Sequence, residues 1–410
     1  MKFEDYQIIP ALKQSLTELG FKRPTDIQFK AIPNILKGED VLAIAQTGTG
    51  KTAAFAIPII HLIEQAGTGR GVQAIVMVPT HELAIQITEV FDKLAKYTSV
   101  KTLGIFGGVD QDPQIDQLHQ GVEVVIATPG RVFDLVYQKH LNLRDIKVLV
   151  LDEADLMLDL GFYKDIEDLI KYLPRRRQTL FFSATINEKI KKLAYSLVHN
   201  AIRIQISPKD PVSKNVSHSV MFVSMDDKRF FLERIVKENP DSRILVFVRT
   251  KVRTERVFEA MNRVGIKSQT MHGGKDQDSR LEVMNGFKQG DFKILIATDI
   301  SARGVDIANV DYVVNYDLPE VAENYVHRVG RTGRGNQKGV AVSFCSPEEK
   351  PILSEIESYM DKKITVLEVK KADYSETLAL TEDVNDNWRK LIADAEKEDQ
   401  HYKGKKKKKR

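Results

Sequence analysis

The sequence predicts an α/β fold in two lobes, and three observations carry that prediction. Short apolar runs alternate with longer segments of helical period, the alternation breaks off at Ser207-Pro208-Lys209-Asp210-Pro211, and it then resumes with the same design. Buried runs of this length, separated by helical crossovers, are the pattern of a mostly parallel sheet. The first set of strands is expected at residues 41–44, 74–78, 122–127, 148–151 and 179–182. The second set is expected at 219–223, 244–248, 268–271, 294–297, 312–315 and 339–344. This gives a first lobe over 1–206, a flexible linker over 207–216, a second lobe over 217–371 and a charged extension over 372–410.

With 410 residues, of which 42% are hydrophobic, the chain exceeds what one core usually supports. No uninterrupted apolar stretch approaches a membrane span, and the first twenty residues lack the basic start and apolar block of a signal peptide, so a cytoplasmic protein is expected. Cys345 is the only cysteine, which excludes an intrachain disulfide and a Cys-rich metal site. The formal charge is +4, but residues 403–410 hold seven cations and no acid, so residues 1–402 sum to −3. Nucleic acid would therefore be met by a local patch or by the lysine-rich tail, read as a disordered, non-specific tether.

After the first expected strand comes Ala45-Gln46-Thr47-Gly48-Thr49-Gly50-Lys51-Thr52, followed by helix-prone Ala53-Ala54-Phe55-Ala56. Strand, glycine loop and helix stand in the order a phosphate cradle needs. Gly48 and Gly50 let backbone N–H groups turn toward phosphate oxygens at the positive end of the helix. Lys51 would reach the β- and γ-phosphates, and the Thr52 hydroxyl can coordinate Mg²⁺. The loop opens with Ala45 where the general pattern has glycine.

A second strand, Val148-Leu149-Val150-Leu151, delivers Asp152-Glu153-Ala154-Asp155 at its carboxyl end, the edge where open parallel sheets bind ligands. Asp152 is suited to hold Mg²⁺ and Glu153 to orient or deprotonate an attacking water. Together the two loops point to hydrolysis of a nucleoside triphosphate.

The tetrapeptide Asp-Glu-Ala-Asp resembles the second motif of the DEAD-box family of ATP-dependent RNA helicases, and agreement with that family runs from about Phe3 to residue 345. The resemblance implies two tandem RecA-like domains. It also implies an adenine-reading segment in Gly20-Phe21-Lys22-Arg23-Pro24-Thr25-Asp26-Ile27-Gln28, with Phe3 seventeen residues upstream of Gly20. The Gln28 amide can bond adenine bidentately, which favours ATP over GTP. Ser183-Ala184-Thr185 resembles the motif that couples hydrolysis to lobe closure, with Asp155 in the same role.

Pro79-Thr80-His81-Glu82-Leu83-Ala84, Gly107-Gly108 and Thr128-Pro129-Gly130-Arg131 resemble the family's RNA-contacting segments, implying contacts by Thr80, Gly108, Thr128 and Arg131. Position 81 departs from the family, which usually has arginine there; a neutral histidine would grip phosphate less firmly.

In the second lobe, Val246-Phe247-Val248 resembles the fourth motif. His272-Gly273 with Gln277 and Arg280 resembles an element that contacts RNA and braces the closed form. Thr298-Asp299-Ile300-Ser301-Ala302-Arg303-Gly304-Val305-Asp306 implies Thr298 on an RNA phosphate and Asp306 on the ribose of ATP. His327-Arg328-Val329-Gly330-Arg331-Thr332-Gly333-Arg334 implies Arg331 and Arg334 as arginine fingers, with His327 and Arg328 coupling them.

The expected function is an RNA-stimulated ATPase, with ATP and Mg²⁺ bound, that grips single-stranded or short duplex RNA with little sequence specificity. The short chain is similar to compact bacterial members, whose proteins of ribosome assembly or RNA decay are conceivable partners. An ATP-dependent RNA clamp, in which unwinding is incidental, needs the same motifs and stays open at this point. A DNA translocase and a plain ATPase account for fewer of the segments.

Overall fold

The computed structural model describes residues 2–46, 48–69, 71–206, 212, 215–299, 307, 310–333, 337–368, 374, 375 and 377. It contains two seven-stranded sheets in which every recorded strand pair is parallel.

The first sheet is built from β1 (Val41–Ala45), β2 (Ala74–Met77), β3 (Thr102–Ile105), β4 (Val124–Ala127), β5 (Val148–Leu151), β6 (Gln178–Ser183) and β7 (Ile202–Ile206), in the order β3-β4-β2-β5-β6-β1-β7. Successive side chains of a strand point to opposite faces, and β1 shows the consequence. Val41, Ala43 and Ala45 enter one core while Leu42 and Ile44 enter the other. Helices must cover both faces. They are α1 (Pro10–Glu18), α2 (Asp26–Leu36), α3 (Lys51–Ala66), α4 (His81–Ala95), α5 (Asp112–His119), α6 (Pro129–Tyr137), α7 (Ala154–Asp159), α8 (Tyr163–Tyr172) and α9 (Glu188–Leu197).

The second sheet has the order β10-β11-β9-β12-β13-β8-β14. Its strands are β8 (Val216–Phe222), β9 (Ile244–Phe247), β10 (Ser268–Met271), β11 (Ile294–Ala297), β12 (Tyr312–Asn315), β13 (Gly339–Cys345) and β14 (Thr365–Val366). Among the described residues its helices are α10 (Lys228–Glu238), α11 (Lys251–Arg263), α12 (Gln277–Gln289), α13 (Ala322–Val329) and α14 (Lys350–Met360). Again β9 divides its side chains, Leu245 and Phe247 on one side and Ile244 and Val246 on the other.

The eleven expected strands lie at the cores of observed ones, most within a residue or two at each end. Three others carry too little apolar signal to be read. β3 is four residues with Gly104 inside, β7 is an edge strand whose Ile202 and Arg203 are exposed, and β14 is an exposed pair. β8 starts at Val216, before the expected residue 219. Residues 207–211, 213 and 214, most of the expected linker, and the lysine-rich tail lie outside the described residues.

Helix starts follow local chemistry. The Thr80 hydroxyl caps α4 by accepting from the Leu83 N–H at 3.3 Å, and the Asp276 carboxylate caps α12 by accepting from the Ser279 N–H at 2.9 Å. Parallel strands with these crossovers leave the loops after β1, β2, β4, β5 and β6 on one edge of the first sheet, and those after β9, β10, β11 and β12 on one edge of the second.

Candidate active site

The loop after β1 enters α3 through Gly50, whose φ of 90° is left-handed. A Cβ at this position would stand 2.5 Å from Gln28 Nε2, so both the conformation and the space require glycine. Gln28 is almost fully buried; its Nε2 donates to the Gly50 carbonyl at 3.1 Å and its Oε1 accepts from the Thr25 N–H at 2.9 Å. The adenine-reading candidate is thereby tied to the phosphate loop. Phe3 is buried edge-on against Phe21, with ring centres 5.6 Å apart. Thr49 closes the loop by donating to the Gln46 carbonyl at 2.7 Å; Gly48 also has positive φ, and Thr47 lies outside the described residues.

Lys51, on the first turn of α3, donates to Glu153 Oε1 at 2.8 Å, and both side chains are buried. Burial alone would depress the Lys51 pKa, but Glu153, Asp152 and Asp155 together raise it above the ordinary lysine value. Glu153 is held below the usual carboxylate range: burial opposes its charge, and Lys51, His327 and Arg331 outweigh that penalty. Asp152 is pushed the other way, because burial is only partly offset by Lys51 and the neighbouring Glu153 and Asp155 repel its charge.

The Glu153 backbone is left-handed at φ 51°, ψ 47°, an uncommon conformation for a non-glycine residue that aims the side chain at Lys51 instead of along β5. Thr185 is buried, with its N–H on Ser183 Oγ at 3.4 Å, and its hydroxyl finds no partner among the described residues. The donor chemistry near the loop suits a hard divalent cation: the Thr52 hydroxyl, and an Asp152 carboxylate whose charged form burial disfavours.

From the second lobe, His327 and Arg331 come near enough to Glu153 to favour its charge, and Arg331 is buried. Arg328 fixes the turn that carries them. Its Nε and Nη2 donate to the two carboxylate oxygens of Asp299 at 2.5 and 2.7 Å, and Nη1 donates to the Asp317 carbonyl at 2.6 Å. Thr298 is buried at the end of β11. Arg334 and Asp306 lie outside the described residues.

A second meeting of the lobes surrounds Glu82, which is fully buried. Its Oε1 accepts from Arg280 at 2.7 Å and from Gln277 Nε2 at 3.2 Å. His81 Nδ1 lies 3.0 Å from Gln277 Oε1, and its ring stacks on Phe106 with centres 5.7 Å apart. Gly108, at φ 76°, passes beside both His81 and Gln277. Sequence reasoning gave Glu82 and Phe106 no role, because nothing local in the chain marks them as partners of the second lobe. Thr128 is buried at the N-cap of α6. Arg131 donates through Nη2 to the Val109 carbonyl at 2.8 Å, while its buried Nη1 has no acceptor among the described residues.

Two RecA-like lobes, with a phosphate loop and an acidic pair on one and an arginine turn on the other, define a two-lobed nucleoside triphosphatase of the helicase kind. Residues 25–193 match the family model described as DEAD/DEAH box helicase, and residues 227–336 match the helicase conserved C-terminal domain. The chain is 39% identical over 367 residues to the ATP-dependent RNA helicase DbpA of Bacillus subtilis (strain 168), covering 89% of this chain and 76% of the relative. The chain belongs to the DEAD-box family of ATP-dependent RNA helicases.

Among solved structures, S. cerevisiae Dbp5 bound to RNA and ADP BeF3 superposes with a TM-score of 0.83 at 31% identity, covering 92% of this chain and 98% of that one. A Dbp5 variant bound to Nup159, Gle1, IP6 and ADP, also 31% identical and covering 91% and 98%, gives 0.64. By this measure the chain superposes better on the RNA-bound Dbp5 than on that one. Among the described residues, no helix is long and apolar enough to cross a membrane.

Proposed function

We propose that this protein is an RNA-stimulated ATPase whose lobes close on ATP and a single RNA strand, separate short duplexes locally, and reopen on hydrolysis. The observation that carries this reading is the meeting, at Glu153, of Lys51 from one lobe with the charges of His327 and Arg331 from the other.

Lys51 and Glu153 neutralise each other across 2.8 Å. An arriving triphosphate would draw Lys51 to its β- and γ-oxygens and release Glu153 to orient the attacking water. Arg331, with Arg334 by family likeness, would neutralise charge developing on the γ-phosphate. Thr52 and Asp152 would hold Mg²⁺, which would help neutralise the charge of the phosphates. Gln28 would exchange one of its protein bonds for the adenine edge, and Asp306 would take the ribose.

Thr80, Gly108, Thr128 and Arg131 from the first lobe and Thr298 from the second would grip the sugar-phosphate backbone; the orphaned Nη1 of Arg131 supports a phosphate there. Gln277 and Arg280 are better suited to bracing closure through Glu82 than to RNA. Since RNA favours the closed form and closure completes the ATP site, linkage requires the two ligands to strengthen each other. Discrimination for RNA would come from 2′-hydroxyl contacts.

The test is ATPase activity with and without RNA, alongside strand displacement on a short RNA duplex. RNA stimulation with displacement is the expected result. Stimulation without displacement would instead make the protein an ATP-dependent clamp, and no stimulation would refute the RNA reading.

A further inference from the structure

Two histidines outside both sites meet where α5 and α6 end. His119, the last residue of α5, is exposed, and His140, three residues past α6, is half-buried. His140 Nδ1 lies 3.3 Å from His119 Nε2, and the ring centres are 5.3 Å apart. The backbone holds both residues in place. Lys139 leaves α6 in the left-handed region at φ 65°, and the His140 N–H then donates to the Leu135 carbonyl at 2.9 Å. A bond from Gln138 Nε2 to Gln111 Oε1 at 3.3 Å ties the two segments a second time.

A neutral imidazole pair at this distance can share one N–H, but the ring centres distinguish two arrangements. A straight N–H···N bond of this length would put the centres about 5.6 Å apart. Two imidazole nitrogens bound to one tetrahedral Zn²⁺ at about 2.05 Å each would stand about 3.3 Å apart, with ring centres about 5.2 Å apart. The observed pair fits the second arrangement, in which the lone pairs converge on a point beside the line joining the nitrogens. Of the charges adjoining the pair along the chain, Asp116 is one turn before His119 on α5 and Lys139 precedes His140, so they offset each other and affinity must come from imidazole. Among the described residues no group of three or more His, Cys, Asp or Glu is gathered to hold a metal, so water would complete the coordination, as at an open zinc site.

We propose that His119 and His140 chelate a divalent transition-metal ion of the zinc class, clipping α5 to the segment that follows α6. Imidazole nitrogen selects Zn²⁺, Cu²⁺ or Ni²⁺ over Mg²⁺, which keeps this site apart from the hard donors near the phosphate loop. Chelation needs a lone pair on both contacting nitrogens. The proton shared in the metal-free pair moves to the outer nitrogen of its own ring, and both rings stay neutral. α5 begins four residues after Gly108 and α6 immediately after Thr128, so the clip fixes the far ends of two helices that lead away from candidate RNA contacts.

The experiment is calorimetric titration of the full chain with Zn²⁺, in excess Mg²⁺ to fill the carboxylate sites. It compares wild type with His119→Ala and His140→Ala, with Cu²⁺ as a second probe. Wild type should bind one Zn²⁺ that each variant binds at least about tenfold more weakly, since even an outer-shell partner of a metal is worth that much. Cu²⁺ should bind the same site more tightly than Zn²⁺. Zn²⁺ should also raise the thermal unfolding temperature of wild type and not of the variants. RNA-stimulated ATPase activity without added Zn²⁺ should be the same in all three chains, which shows that the variants are folded. Equal Zn²⁺ binding by wild type and both variants overturns the site, and so does a loss confined to one variant, because a chelate needs both rings.

Discussion

Glu82 of α4 accepts from the Arg280 guanidinium of α12 at 2.7 Å, a buried ion pair that joins the two lobes. Closure thus shields a carboxylate that the open form would hydrate. Arg280→Ala leaves this charge in the closed form with Gln277 as its remaining donor, a loss of ~3 kcal/mol for a broken buried pair. RNA affinity in the presence of an ATP analogue should fall about 100-fold, while affinity without nucleotide stays the same. Fluorescence anisotropy with labelled RNA, in both conditions, checks this; an equal loss in both would assign Arg280 to RNA contact instead.

Glu153→Gln removes the charge that holds Lys51 and the basicity that a water would need, while keeping the shape. ATP and RNA binding should persist and steady-state turnover should fall by at least 100-fold, toward the upper part of the usual general-base contribution. Steady-state ATPase activity with saturating RNA is the measurement. Near-normal turnover would rule out the role proposed for Glu153.

Gln28→Ala should have two separable effects, because Gln28 holds the Gly50 carbonyl as well as facing the proposed adenine site. A looser phosphate loop raises KM for ATP and GTP alike. Loss of an adenine contact narrows the ATP-to-GTP ratio in kcat/KM, by ~1–3 kcal/mol for a bidentate pair. An unchanged ratio with raised KM values would leave Gln28 as a loop support only.

Arg331→Ala should lower kcat about 1000-fold or more, the usual consequence of losing an arginine finger. ATP binding to the separated lobes should scarcely change, since the guanidinium arrives only on closure. Equilibrium binding of a fluorescent ATP analogue, beside steady-state kinetics, separates the two. A defect confined to KM contradicts the assignment.

Lys228 is fully buried against Glu349 at 2.6 Å and Asp317 at 3.4 Å. Lys228→Ala leaves two buried carboxylates short of a cation and should destabilise the second lobe by ~3–5 kcal/mol at neutral pH. Burial pushes Asp317 up, but Arg253 and Lys228 hold it below the ordinary carboxylate value. A depressed folded pKa gives stability that is present above the unfolded value of about 3.9 and is lost as the pH falls through the folded one. The deficit of the variant should therefore shrink below that pH. Urea unfolding of the full chain at neutral and acid pH tests the sign; a constant deficit would mean that Asp317 does not titrate with the pair.

By itself the sequence determined what depends on neighbours along the chain. The period of apolar residues set most strands, and glycines at 48 and 50 set a loop that only a small residue can make. The apolar run before Asp152 put the acids on the ligand edge of the sheet. These features are local, so the spacing of residue types contains them. Tertiary structure alone decided which distant groups meet. Glu82 with Arg280, His81 with Gln277, and Lys228 with Asp317 and Glu349 join residues far apart in the chain, and no local pattern marks the partner. The weak strands β3 and β7 belong to the same class: each is too short or too exposed to announce itself, and each forms because a neighbouring strand supplies its hydrogen bonds. His81 shows the difference most directly, since residue type alone suggested a weakened phosphate contact, whereas in the folded chain the ring is held between Phe106 and Gln277 by the approach of the second lobe.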